Sequence, residues 1–227
     1  MDLVLIPGLW LDGSAWDAVL PGLRAAGHTP HPMTLPGQGD GSASATLDDQ
    51  LDAVVVAIDA ADGPVTVVGH SAGAALAWLA ADRRAQRVAV VALIGGMPQA
   101  DGQAYAPWFT PEGDVVPFPG WEPFAGRDSD DLDDATKQAV AAGAHPMPRS
   151  VVEGIVRYTD PARRAVPVVM VCPEYSPDEA RAWLAAGEIS ELADVASLTF
   201  VDLDSGHWPM FSQPYALARV LTEAIPG

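Results

Sequence analysis

Five short runs of apolar, largely β-branched residues, at 3–6, 65–68, 88–94, 166–171 and 198–203, are nearly continuous in hydrophobicity instead of alternating with polar residues. A strand that is apolar at every position needs cover on both faces, so these runs specify a sheet held between two helical layers. Stretches of helical pattern lie between them, at 47–61 after Thr46, at 74–84, and at 177–186 after Ser176. Strand and helix in turn imply an α/β fold with a mostly parallel, doubly wound sheet. At 227 residues and 49% apolar composition, the chain can bury a sizeable core as one domain, or as one domain with an insertion. No internal repeat is present.

One region breaks the rhythm. From 97 to 164 the sequence carries many prolines, the aromatics Tyr105, Trp108, Phe109, Phe118, Trp121 and Phe124, and the acidic run "DSDDLDD". No strand is expected there, and a structureless loop of that length is improbable in a compact domain. The segment therefore reads as a small helical cap insertion, with helices expected at 132–142 and 150–158, between core segments 1–96 and 165–227. The acidic run lacks the loop glycine and terminal glutamate of an EF-hand and reads as solvated charge at a helix start, so no metal is expected.

The formal net charge of −18, from 30 acidic and 12 basic residues, repels a phosphate backbone or an anionic membrane surface. Nucleic-acid and membrane partners are therefore not expected. Cys172, the only cysteine, excludes an intramolecular disulfide and a cysteine-based metal cluster, and reads as a buried apolar thiol. The first residues, "MDLVLIPG", contain no basic n-region and no membrane span, so a cytoplasmic location is expected. No feature assigns an oligomeric state.

In "VVGHSAGA", at 67–74, Ser71 stands between Gly69 and Gly73. The strand-like "PVTVVG" enters and the helix-like "GAALAWLAA" leaves, which is the context of a G-x-S-x-G nucleophile elbow. At such an elbow strand and helix cross closely, so small flanking residues are required; Gly69, Gly73, Ala72, Ala74 and Ala75 supply them. The competing reading is a strand-to-helix turn whose serine merely caps the helix.

A serine hydroxyl needs a base, usually a histidine whose tautomer a carboxylate fixes. His28 and His31 fall in a polar, proline-rich strand approach and read as exposed or structural. His70 neighbours the serine, and its ring is expected in the pocket wall; His145 belongs to the insertion and reads as packed or solvated. His207 remains, in "LTFVDLDSGHWPMF" after the final strand, where a loop at the carboxyl end of a parallel strand faces the same crevice as the elbow. The competing reading for His207 is a loop histidine packed on Trp208.

Three stretches together, "VVGHSAGA", "SGHWPMFSQP" and "IPGLWLDGSAW", give the chain a resemblance to the α/β-hydrolases, in their compact esterase and hydroxynitrile-lyase branch with a small cap. The third is similar to the family's H-G-x-W stretch, with Pro7 standing where the family often has histidine, a departure that alters the hydrogen bonding under the loop. The resemblance implies an oxyanion hole made by the backbone N–H groups of Leu9 and Ala72, with Trp10 lining the pocket beside His70 and Trp208. In the family an acid usually follows the penultimate strand in a G-x-x-D-like turn, but here Pro173 and Ser176 occupy those positions. Three carboxylates compete. Asp178, like Glu179, falls in the first turn of a helix that Ser176 caps, with Pro177 at the first position and Glu179 completing a capping box. Asp101 follows the preceding strand, where some members of the fold carry their acid. Glu174 has no such structural explanation and sits just past the strand end.

The expected function is a cofactor-independent serine hydrolase of a small or medium carboxylic ester, lactone or thioester, with Ser71 as nucleophile, His207 as base and Glu174 orienting it. Insertion aromatics would form an apolar pocket wall. A hydroxynitrile lyase or cyclase would use the same residues without an acyl-enzyme, although the lyases tend to carry a lysine near the pocket and the only lysine here, Lys137, reads as exposed. A ligand-binding protein on the same fold is the third reading, kept open by the competing acids.

Overall fold

The computed structural model describes residues 1–225. The first half of the chain runs β1 (Asp2–Ile6), α1 (Leu20–Ala25), β2 (Thr29–Pro32), α2 (Leu47–Ala60), β3 (Val65–His70), α3 (Gly73–Arg83) and β4 (Val88–Ile94). The middle segment holds β5 (Val115–Val116), α4 (Asp134–Gly143), β6 (Met147–Pro148) and α5 (Arg149–Val152). The chain then runs β7 (Val168–Cys172), α6 (Pro177–Ala185), β8 (Leu198–Asp202), α7 (Pro209–Ser212) and α8 (Pro214–Ala224). Six strands form one parallel sheet in the order β2-β1-β3-β4-β7-β8, and β5 and β6 form a separate antiparallel pair.

Continuous hydrophobicity in the strands is explained by what lies on each side. Val4, Ile6, Val65 and Val67 face a layer built on Leu51, Val54 and Ile58 of α2 and on Trp78 of α3. Leu3, Leu5 and Val68 face the opposite layer, with Leu20 and Leu23 of α1 and Leu217 and Leu221 of α8. Each such side chain contributes about 1.5–3 kcal/mol when fully buried. Helix α3 is buried along almost its whole length, from Gly73 to Asp82, consistent with its alanine-rich sequence. Thr46 and Asp49 start α2 with a reciprocal capping box, and Ser176 and Glu179 start α6 in the same way. Hydrogen bonds from Ser176 and Arg127 hold the Glu179 carboxyl down at about 2.

Two expectations are corrected, and one edge strand adds to the runs expected from sequence. No helix spans 150–158: α5 stops at Val152, and the following backbone pairs with 102–106 through Tyr105 N–H to Gly154 O at 2.8 Å and Val156 N–H to Gln103 O at 2.9 Å. Gly154 packs closely on Leu47 of α2, where a Cβ on Gly154 would lie 2.5 Å from the Leu47 Cβ. The segment also contains strand pairing, between Val115–Val116 and Met147–Pro148, where none was expected. Finally, "TPHP" forms edge strand β2, and prolines are tolerated at an edge because half of its N–H groups have no neighbour to meet. No helix among the described residues is long and apolar enough to cross a membrane.

Candidate active site

Ser71 follows β3 without a break, and its φ of +54° lies in the left-handed region that side chains rarely adopt. Its own backbone holds it there: Ser71 N–H donates to Ile94 O at 2.8 Å, and Ser71 O accepts from Ala74 N–H at 3.0 Å. The flanking glycines are required by contact. A Cβ on Gly69 would overlap the Gly73 carbonyl, and one on Gly73 would lie 2.7 Å from Pro7 O. Strand β3, helix α3 and the loop after β1 therefore cross at one point, with Ser71 projecting from it.

His207 arrives from the loop after β8 and Glu174 from the end of β7. His207 Nε2 lies 2.9 Å from Ser71 Oγ, and His207 Nδ1 lies 2.8 Å from Glu174 Oε1. An ionised carboxylate only accepts, so Nδ1 carries the proton and donates, and Nε2 presents the lone pair to the serine O–H. Both side chains are about 85% shielded, at 15% and 14% exposure. Gly95, at the end of β4, makes room for the pair: a Cβ there would lie 3.2 Å from Glu174 Oε2 and 3.3 Å from His207 Nδ1. The other two candidate acids lie elsewhere. Exposed Asp178 pairs with Arg181 at 2.6 Å, and Asp101 accepts from Tyr158 N–H at 3.0 Å.

His70 forms part of the cavity wall. Its Nε2–H donates to the His207 carbonyl at 2.7 Å, because a carbonyl can only accept, which leaves Nδ1 unprotonated and buried without a partner. Burial, with the neighbouring His207, pushes its pKa down to about 3. The ring is neutral and anchors the backbone that carries His207. Two further anchors come from the acidic run that the sequence presents as solvated charge. Asp131 accepts from Gly206 N–H at 2.6 Å, and the Asp128 carbonyl accepts from His207 N–H at 2.8 Å. Burial raises the Asp128 carboxyl, with Glu174 adding to the rise. Asp133, farther along the run, caps α4 as expected for a helix start.

Leu9 and Ala72 are both buried, and neither backbone N–H has an acceptor among the described residues. The Gly8–Leu9 turn lies against the serine, since a Cβ on Gly8 would lie 3.0 Å from the Ser71 Cβ. Trp10, next in the turn, is the other non-glycine residue with positive φ among the described residues, at +64°. Its carbonyl accepts from His145 N–H at 2.9 Å, while the His145 ring meets Asp12 at 3.0 Å, so His145 ties the middle segment to this turn.

Above Ser71 opens a cavity of about 360 Å³. Trp10, His70 and Trp208 line it together with the insertion aromatics Trp108, Phe109 and Phe124, and Met97 and Gln99 complete walls that the sequence analysis does not place. Trp10 packs edge-on against Phe109 and Phe118, with ring centroids 4.8 and 5.4 Å apart, and Trp208 packs edge-on against Phe124 at 5.0 Å. Among the described residues no lysine, arginine or carboxylate lines the cavity; the Lys137 ammonium lies 5.9 Å from the Trp121 ring centroid, outside it. The glycine pair after β4, directly before Met97, was the available signal for Met97 and Gln99.

The chain belongs to the alpha/beta hydrolase family, whose sequence model matches residues 3–220. Among individual proteins it is 34% identical over 121 residues to a pyrethroid hydrolase of Sphingobium wenxiniae, a match covering 51% of this chain and 41% of that protein. The matched stretch thus spans about two fifths of that relative's length. Among solved structures, an extracellular alpha/beta-hydrolase from a Paenibacillus species superposes with a TM-score of 0.80 at 18% identity, covering 100% of both chains. A methylesterase from Arabidopsis superposes with a TM-score of 0.78 at 17% identity, covering 99% of this chain and 98% of that one. At these identities the likeness is one of fold.

Proposed function

We propose that the protein hydrolyses carboxylic esters of small to medium size through an acyl-enzyme on Ser71. The observation that carries this reading is the continuous hydrogen-bonded line from Ser71 Oγ through His207 to Glu174. Ser71 Oγ attacks the ester carbonyl as His207 Nε2 takes its proton, and the Leu9 and Ala72 N–H groups hold the oxygen that becomes negative. His207 then returns the proton to the departing alcohol. Water, activated by the same imidazole, releases the acid. Loss of one such N–H donor costs about 3–4 kcal/mol of barrier.

Cavity chemistry supports an uncharged, apolar or aromatic substrate, because the walls are aromatic and offer no cation to a carboxylate or phosphate. The printed names of the relatives, a pyrethroid hydrolase and a methylesterase, agree with ester chemistry. Turnover of p-nitrophenyl butyrate tests the reading: the wild type is expected to release nitrophenol, and Ser71→Ala and His207→Ala to lose that release. Equal turnover by wild type and Ser71→Ala would refute it. A p-nitrophenyl ester carrying a terminal carboxylate is expected to react more slowly than its neutral analogue.

A further inference from the structure

Gln38 and Gln50 are almost completely buried, at 2% and 0% exposure, and neither belongs to the reacting line. Gln38 lies in the turn after β2, and its Nε2 donates to two carbonyls of the turn after β1, Gly8 O and Leu11 O, each at 2.8 Å. Gln50, on the first turns of α2, donates to Gln38 Oε1 at 3.1 Å and to Pro36 O at 2.8 Å. That bond fixes which end of the Gln38 amide faces the turn. Helix α2 is in turn fixed to the core by Leu51, Val54 and Ile58.

Gly8 O and Leu9 N–H belong to one peptide unit. The unit is planar and trans, so its C=O and N–H point in opposite directions. A donor that grips Gly8 O from beneath the turn therefore aims Leu9 N–H the other way, where the turn faces Ser71. The second N–H of the pair is aimed by the same logic: Ser71 O, in the peptide unit of Ala72 N–H, is held by Ala74 N–H at the start of α3. For Ala72 the helix does the aiming. For Leu9 the turn's own bond to that oxygen, from Leu11 N–H, is long at 3.4 Å against 2.8 Å for Gln38, and Pro7 offers the turn no side-chain donor.

We propose that Gln38, oriented by Gln50, is a positioning residue that sets the direction of the Leu9 amide in the oxyanion hole. This rests on the reading of Ser71 as nucleophile. Because the contact acts on a charge that develops only in the transition state, its loss lowers kcat and leaves KM nearly unchanged. Gln38→Met keeps side-chain length and removes both donors; it is expected to lower kcat about 10- to 100-fold, part of the effect of deleting an oxyanion donor outright. Affinity for a trifluoromethyl ketone, which forms an oxyanion on the serine, is expected to fall by a similar factor, while affinity for the product acid stays within about twofold. Gln50→Met, which frees the Gln38 amide to rotate, is expected to move the same quantities in the same direction by less.

A crystal structure of Gln38→Met gives a reading that needs no turnover. A rotated Gly8–Leu9 peptide supports the proposal; an unmoved one overturns it. Wild-type kcat and ketone affinity in both variants, with a lowered Tm, would make the pair a packing feature and overturn it as well. Ser71→Ala separately tests the underlying reading, so a failure there is told apart from a failure here.

Discussion

Replacing Glu174 by glutamine changes one oxygen for one NH2 group beside His207. Glu174 Oε1 receives the His207 Nδ1–H, and Glu174 Oε2 is buried with no hydrogen-bond partner. The amide can sit in two ways. With its oxygen toward His207, it buries an NH2 at the Oε2 position, at about 1–3 kcal/mol where that group goes unpaired. With its NH2 toward His207, Nδ1 must accept, the ring proton moves to Nε2, and the serine O–H faces a donor it cannot use. In either pose the imidazolium that forms in the reaction loses the carboxylate that stabilises it. Combined, these effects predict a fall in kcat/KM of about 10³- to 10⁴-fold, or about 4–5.5 kcal/mol. Steady-state hydrolysis of p-nitrophenyl butyrate measures it, with Asp101→Asn and Asp178→Asn as controls expected within about threefold of wild type. Activity in Glu174→Gln within tenfold of wild type, or a matching loss in either control, would refute the assignment.

Asp131→Ala removes the acceptor of Gly206 N–H at 2.6 Å and is expected to lower kcat about tenfold with little change in Tm, whereas Asp131→Asn, which keeps an oxygen there, retains most activity. Gly69→Ala drives a methyl into the Gly73 carbonyl and should cost about 1–3 kcal/mol, read as a Tm lower by several degrees; an unchanged Tm would contradict the close crossing. His70 stays neutral when folded but takes a proton when unfolded as pH falls below its ordinary 6.5, so its stability contribution is present above that value and is lost on the way down toward 3. Chemical denaturation at pH 7 and pH 5 should show wild type losing about 2 kcal/mol more than His70→Asn.

The parts of the fold that were legible in sequence are those where burial leaves a local pattern. Val65–His70 and Val88–Ile94 are apolar because helices cover both faces, and Ser71 stands out because its neighbours must be small for those helices to approach. Glu174 could be singled out from Asp178 because the capping box already explains the first turn of α6. Strand β2 was hidden by Pro30 and Pro32, which are tolerated only because the strand lies at an edge. The expected helix at 150–158 failed because backbone pairing with 102–106 outweighs local propensity. Asp131 and Gln38 carry no local signal. A carboxylate in an acidic run and an amide in a proline-glycine turn look solvated until the chain closes and brings Gly206 to one and Gly8 to the other.

Covalent capture at the serine bears most directly on the account. Incubation with a fluorophosphonate, followed by digestion and mass spectrometry, should add one phosphonyl group to the peptide containing Ser71, with no addition in Ser71→Ala and slower addition in His207→Ala. Equal modification of Ser71→Ala, or a label on a different residue of the wild type, would contradict a nucleophile raised at the end of β3 and activated by the imidazole of His207.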